Sequence, residues 1–171
     1  VFLNRFERIV NISHASLLGG VMNLANFDAA AGDWQPLPGP DGNPADHIEM
    51  SIVNVDDDAK IVDVLFKFAA NEKILLHRHT SNFNTFVVQG EHRIYEPDGA
   101  LKETRPAGTY KASVPDAEPH QEGGGDEDVV ILFSLRPYSA TKPIYEILDD
   151  DQQVASVMTF DDLKEIYETV N

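Results

Sequence analysis

Between residues 47 and 136 turn residues cut the chain into strand-length pieces, and this spacing constrains the fold more than any other feature. HIEMSIVNV (47–55) and KIVDVLFKF (60–68) are rich in β-branched and aromatic residues and flank the acidic turn Asp56–Asp58. ILLHRH and FNTFVVQ follow, the latter running into Gly90. HRIYE and LKETR flank Pro97-Asp98-Gly99, a hairpin signal in which proline presets one turn residue and glycine accepts positive φ. TYKASV stops at Pro115, and Gly123–Gly125 reads as a loop. VVILFSL is continuously apolar, as in a strand buried on both faces. Short strands separated by Gly, Pro and Asp turns predict an all-β sandwich or barrel.

The flanks differ in character. DWQPLPGPDGNPAD (33–46), rich in proline and glycine, predicts an irregular extended segment with Trp34 packed onto a larger body. TFDDLKEIYETV places Phe160, Leu163, Ile166, Tyr167 and Val170 at helical spacing. This predicts a helix over 159–170, with Thr159 as N-cap and acids in the first turn. The expected organisation is a single domain over 1–171: an N-terminal arm (1–46), a barrel core (47–137) and a C-terminal extension (138–171).

Composition removes several function classes. A length of 171 residues is enough for one real core. With no cysteine, disulfides, thiolate catalysis and sulfur-ligated zinc are excluded. A net charge of −16 repels nucleic acid and anionic membrane, so neither is an expected partner. The acidic runs at 56–58, 126–128 and 149–151 lack the alternating ligands and turn glycine of a calcium loop and read as solvated turns. No apolar run approaches the ~18 residues of a membrane helix. The opening VFLNRFERIVNIS has polar breaks and no small-residue cleavage site, so a cytoplasmic location is expected.

Chemistry concentrates in the histidines. His77 and His79 are two apart, so in a strand both project from one face, ~6–7 Å apart at Cα. Their rings can then converge on one ion at the ~2.0–2.1 Å of a metal–imidazole bond, although such a pair could equally share a solvated face. A third histidine shifts the balance. Pro115-Asp116-Ala117-Glu118-Pro119-His120 ends a strand in a proline-fixed turn that delivers His120 in a held position.

With these residues the sequence resembles the cupin superfamily. The first cupin motif carries His-x-His, a glutamate and a strand-ending glycine; here it reads His77-Arg78-His79, Asn84 and Gly90. The second carries glycine, then Pro-x-Gly-x-x-His; here it reads Gly108, then Pro115 to His120, with Ala117 in place of the inner glycine. The PIYEILDDD segment and the helix after it look like the small single-domain cupins around acetylacetone dioxygenase and 2,4'-dihydroxyacetophenone dioxygenase. The cupin half of the anti-sigma factor ChrR is also similar. The resemblance implies a double-stranded β-helix, a jelly-roll barrel with a C-terminal α-helix.

It also implies a divalent metal held by His77, His79 and His120. Asn84 or Phe83 takes the place of the missing glutamate, depending on how the loop is aligned, and the neutral amide of Asn84 is a poor ligand. The expected shell is thus three neutral imidazoles, with Asn84 hydrogen-bonding behind them and Phe86 and Val88 walling the pocket on the same strand face. Glu122 could enter the pocket as a base or supporting group. Arg78 points to the opposite face, towards an ion pair. The directions of His92 and Tyr95 after Gly90 stay open, and His14 and His47 have no pattern partner.

Three neutral ligands leave a 2+ charge in a low-dielectric interior, which favours an anionic chelating ketone or enolate. Iron(II), nickel, manganese and zinc all accept imidazole. The implied activity is that of a non-haem iron(II) dioxygenase cleaving a C–C bond of a β-diketone or 2-hydroxyketone. Its partners would be a small-molecule substrate and dioxygen. The other readings are a metal-binding sensor or regulatory module, and an oxygen-independent isomerase, lyase or hydrolase. A homodimer or homotetramer is expected by analogy.

Overall fold

The computed structural model describes residues 27–115 and 118–170. The strands are β1 (Gln35–Pro38), β2 (Pro44–Asp56), β3 (Ile61–Phe68), β4 (His77–His79), β5 (Asn82–Gln89) and β6 (Glu91–Tyr95). They continue as β7 (Leu101–Pro106), β8 (Tyr110–Ser113), β9 (Gln121–Gly124), β10 (Val129–Arg136), β11 (Pro143–Leu148) and β12 (Val154–Thr159). Helix α1 (Phe160–Val170) follows directly.

A six-stranded sheet runs in the order β1-β2-β3-β10-β5-β8. Two three-stranded sheets, β12-β11-β4 and β7-β6-β9, complete the framework, and every pairing is antiparallel. Isolated bridges at Lys73–Gly123 and His77–His120 join β9 to the segment leading into β4. The result is an all-β jelly roll with a C-terminal helix, its sheets bridged rather than closed into one continuous barrel.

The hairpin at Pro97–Gly99 forms as expected: β6 pairs with β7, and Gly99 takes φ of 87°. Four strands escape the sequence reading. β1 lies inside the supposed irregular arm and pairs with β2. There Trp34 lies under the Lys67 ammonium, 4.9 Å from its ring centroid. β11 and β12 lie in the extension. β9 replaces most of the expected glycine loop, because a Cβ on Gly123 would sit 2.1 Å from the Glu72 carbonyl oxygen. Here glycine permits close backbone approach rather than a turn.

The core lies where β10 meets β3. Val129, Val130 and Ile131 are all buried, after which the strand alternates, so double-sided burial holds only for its first half. Phe133 meets Phe66 edge-on at 5.2 Å between centroids. Such side chains each contribute roughly 1.5–3 kcal/mol by leaving water. Helix α1 buries Phe160 and Leu163 against this core. It starts at Phe160, with Thr159 outside it: the Asp162 N–H donates to Thr159 Oγ1 (3.2 Å) and the Thr159 N–H donates to Asp162 Oδ2 (2.8 Å). This is a capping box closed by aspartate.

Candidate metal centre

Strand alternation turns His77 and His79 inward from β4 and Arg78 outward, where its guanidinium pairs with Glu146. β11 aligns them by placing Ile147 opposite His77 and Tyr145 opposite His79. His120 arrives from the other side. Its N–H donates to the His77 carbonyl (2.9 Å), and the His77 N–H donates to the His120 carbonyl (3.0 Å). Glu122, two residues on in β9, is buried like His120. Opposite it on β6 stands Ile94, and two residues earlier His92 lies opposite Gly124.

The possible ligand atoms of His77, His79, His120 and Glu122 all lie within 4.8 Å of one another. Ring centroids are 5.1 Å apart for His77–His79, 4.7 Å for His77–His120 and 5.2 Å for His79–His120. Nδ1 of His77 donates to the Leu75 carbonyl (2.9 Å) and Nδ1 of His120 to the Glu118 carbonyl (3.2 Å). A carbonyl only accepts, so each bond puts the ring proton on Nδ1 and makes Nε2 the basic nitrogen.

His79 supplies the test of fit. It is 2% exposed, and neither ring nitrogen has a hydrogen-bond partner. Burial, with His77 adding to it, holds its pKa well below the usual imidazole value, so the ring is neutral. An unmet buried polar group costs ~1–3 kcal/mol, which a cation among these four residues would relieve. The donor set fits a divalent ion.

Glu122, 4% exposed, changes the charge count. Burial would push its carboxyl pKa up, but His92 and His77 outweigh burial and hold it well below the usual range. Its Oε2 lies 3.5 Å from His77 Nε2 and its Oε1 3.0 Å from His92 Nε2. The His92 contact is close but not aligned as a hydrogen bond. The cluster is therefore three histidines and a carboxylate, not three neutral imidazoles alone.

Asn84 is elsewhere. β5 turns Phe83, Thr85 and Val87 inward, leaving Asn84, Phe86 and Val88 on the opposite, half-buried face. In the amide orientation its neighbours favour, Asn84 accepts from Arg136 Nη2 (3.3 Å) and Tyr110 Oη (3.2 Å). It thus neither touches the cluster nor supports it, and Phe86 and Val88 do not wall the site. A one-residue shift in strand phase exchanges the two faces, and the aromatic wall is Phe83, stacked on His79 at 4.0 Å.

Two residues beside the cluster had no role assigned from the sequence. His92, fully buried behind Glu122, sits two positions before Ile94, and that apolar alternation was the available signal. Tyr145 lies 4.9 Å from the His79 ring, with a buried hydroxyl that has no partner. Burial, and then the charge of Glu122, push its phenol pKa well above the usual value. Tyr95 lies under the Lys73 ammonium, and His47 is exposed near Glu72. His14 lies outside the described residues.

Two cavities meet at Glu122. One, of about 500 Å³, runs from His77, Glu122 and Tyr145 past Phe66 to Ile166 of α1. The other, of about 330 Å³, touches His79 and His120 and is rimmed by Lys102, Arg105 and Lys111.

Solved structures share this architecture. An RmlC-like cupin from Ralstonia eutropha is 18% identical, with a TM-score of 0.62 over 84% of this chain and 83% of that one. An acetylacetone dioxygenase from Acinetobacter johnsonii is 14% identical, with a TM-score of 0.63 over 96% of this chain and all (100%) of that one. A cupin-fold protein of unknown function from Ralstonia eutropha is 16% identical, with a TM-score of 0.58 over 89% and 87%. No protein-family model and no curated protein matches the sequence. The chain has the cupin fold, and its shape resembles that of an acetylacetone dioxygenase. Within that fold it carries a group of three histidines and one glutamate able to hold a divalent metal.

Proposed function

We propose that this protein is a non-haem iron(II) dioxygenase that cleaves a C–C bond of a β-diketone or 2-hydroxyketone. The observation that carries this reading is the convergence of neutral His79 with His77, His120 and Glu122, of which His77 and Glu122 line an apolar-walled cavity. A redox-capable divalent ion held there would polarise the ketone oxygens and supply the oxygen chemistry. The histidines contribute no charge and Glu122 contributes −1, leaving +1 against a 2+ ion. A monoanionic enolate brings the site to neutrality, which favours its binding over a neutral ketone or a dianion. Glu122 lines both cavities, and with its carboxyl held well below the usual range it serves this reading as a fixed negative charge rather than as a base. Phe83 and Phe133, parallel to the His79 ring, exclude water from that side.

The deciding experiment is anaerobic reconstitution of the metal-free protein with iron(II), zinc, nickel or manganese. Oxygen consumption is then followed across a panel of β-diketones and aromatic 2-hydroxyketones. Iron-dependent oxygen uptake with two carbonyl fragments is expected, because zinc has no redox chemistry. Equal turnover with zinc, or turnover without oxygen, would mean an isomerase, lyase or hydrolase. Tight zinc retention without turnover would mean a sensor.

A further inference from the structure

We propose that His92 is a positioning residue for the metal site: its ring N–H holds one carboxylate oxygen of Glu122 and so turns the other towards the ion. The inference rests on the metal centre and not on the dioxygenase chemistry assigned to it.

β6 and β9 build the pair. His92 stands opposite Gly124 and Ile94 opposite Glu122, so His92 and Glu122 are diagonal neighbours on one face, within reach of long side chains. His92 Nε2 lies 3.0 Å from Glu122 Oε1. The two are in range but off line, and the last torsion of a glutamate is soft, so a small turn of the carboxylate aligns them. His92 is fully buried, and without that bond neither of its ring nitrogens has a partner. An unmet group of this kind costs ~1–3 kcal/mol. An apolar side chain would fill the position at no such cost, packed beside Phe68, whose ring centroid is 6.0 Å away. The acceptor it faces accounts for an imidazole at this place.

The other oxygen faces the cluster. Oε2 lies 3.5 Å from His77 Nε2. His77 donates from Nδ1 to the Leu75 carbonyl, so its Nε2 carries a lone pair and has no proton to give Oε2. Two acceptors facing each other are reconciled by a cation between them. The carboxylate is thus divided, with Oε2 for the ion and Oε1 for His92, which takes the tautomer protonated on Nε2. His92 is not itself among the mutually close ligand atoms, which belong to His77, His79, His120 and Glu122. It acts on the ion through Glu122.

The test is zinc affinity, measured by competition with a chelator on the full chain stripped of metal. His92→Phe should weaken zinc binding about 10–100-fold, as for loss of a residue that orients a ligand. His92→Gln, whose amide N–H reaches the same oxygen, should stay within about threefold of wild type. In a Glu122→Ala background the His92→Phe change should alter affinity by no more than about twofold, since no carboxylate is left to hold. A merely structural histidine would give the same loss with or without Glu122. If His92→Phe does not fold, as urea titration of the metal-free protein would tell, His92→Met removes the donor with a more adaptable side chain. Zinc held by the donor-less variant as tightly as by wild type, no rescue by glutamine, or an equal loss in the Glu122→Ala background would each overturn the proposal. Wild-type protein that takes up no zinc would overturn the metal site and the proposal with it. Oxygen uptake is not read, so a failure of the dioxygenase reading leaves the result standing.

Discussion

His77 and His120 exchange both of their backbone hydrogen bonds, at 3.0 and 2.9 Å, across a bridge that belongs to none of the three sheets. The first and last histidines of the cluster are thus fixed to each other by main chain, whatever their side chains are. Substituting one ring should therefore remove a ligand without removing the frame.

Replacing His77, His79 or His120 singly by alanine is expected to remove most of the bound metal while the protein stays folded. Metal per chain after dialysis, with far-ultraviolet circular dichroism on the same samples, checks this. Full metal content in any one variant would take that residue out of the site.

Glu122→Gln should weaken metal binding by about 10–100-fold in competition with a chelator, since a buried charge beside the ion is lost. Asn84→Asp should leave metal affinity within about twofold, because Asn84 faces Arg136 and Tyr110 on the far side of β5. The reverse pattern would restore position 84 to the site and remove position 122.

Gly123→Ala drives a methyl group to 2.1 Å from the Glu72 carbonyl oxygen, so β9 must move. A stability loss of about 1–3 kcal/mol in urea titration is expected from such overpacking. Metal affinity should fall with it, because His120 and Glu122 ride on the displaced segment.

Acid stability should depend on Glu103, whose pKa is lowered from 4.5 to about 2, chiefly by its hydrogen bond to Arg105. A carboxylate with a depressed folded-state pKa contributes stability above its unfolded value and loses it as pH falls through the folded value. The contribution should thus be complete above pH 4.5 and fade towards pH 2. Glu103→Gln should flatten the decline of the urea midpoint across that window. The difference at neutral pH should be small, because solvent screens the half-exposed Glu103 carboxylate even though Arg105 is buried.

Much of the fold was legible wherever side chains alternate. β2, β3, β5, β6 and β10 were each marked by runs of β-branched and aromatic residues, and the histidine spacing pointed to one face of β4. β9 was not legible, because Gln121-Glu122-Gly123-Gly124 has no apolar pattern and its strand character comes from contact with residues far away in sequence. Missing that strand also concealed how Glu122 enters the cluster. Asn84 misled for a different reason: the cupin pattern expects a carboxylate near there, but the phase of β5 depends on how the short turn after His79 is made.

The histidine pair of β4 lies at a sheet edge, paired with β11 on one side and bridged on the other through His77 to His120, and Thr80 and Leu76 are bonded to Ile144 and Leu148 at its two ends. During synthesis His77, His79, His120 and Glu122 all emerge before that neighbour exists. The pairing that aims β4 is therefore among the last made, a long-range contact that loop closure renders slow. Metal capture then belongs to the finished fold rather than to its nucleation. A chain stopped before Pro143 would hold all four candidate ligands and lack the strand that points two of them inward.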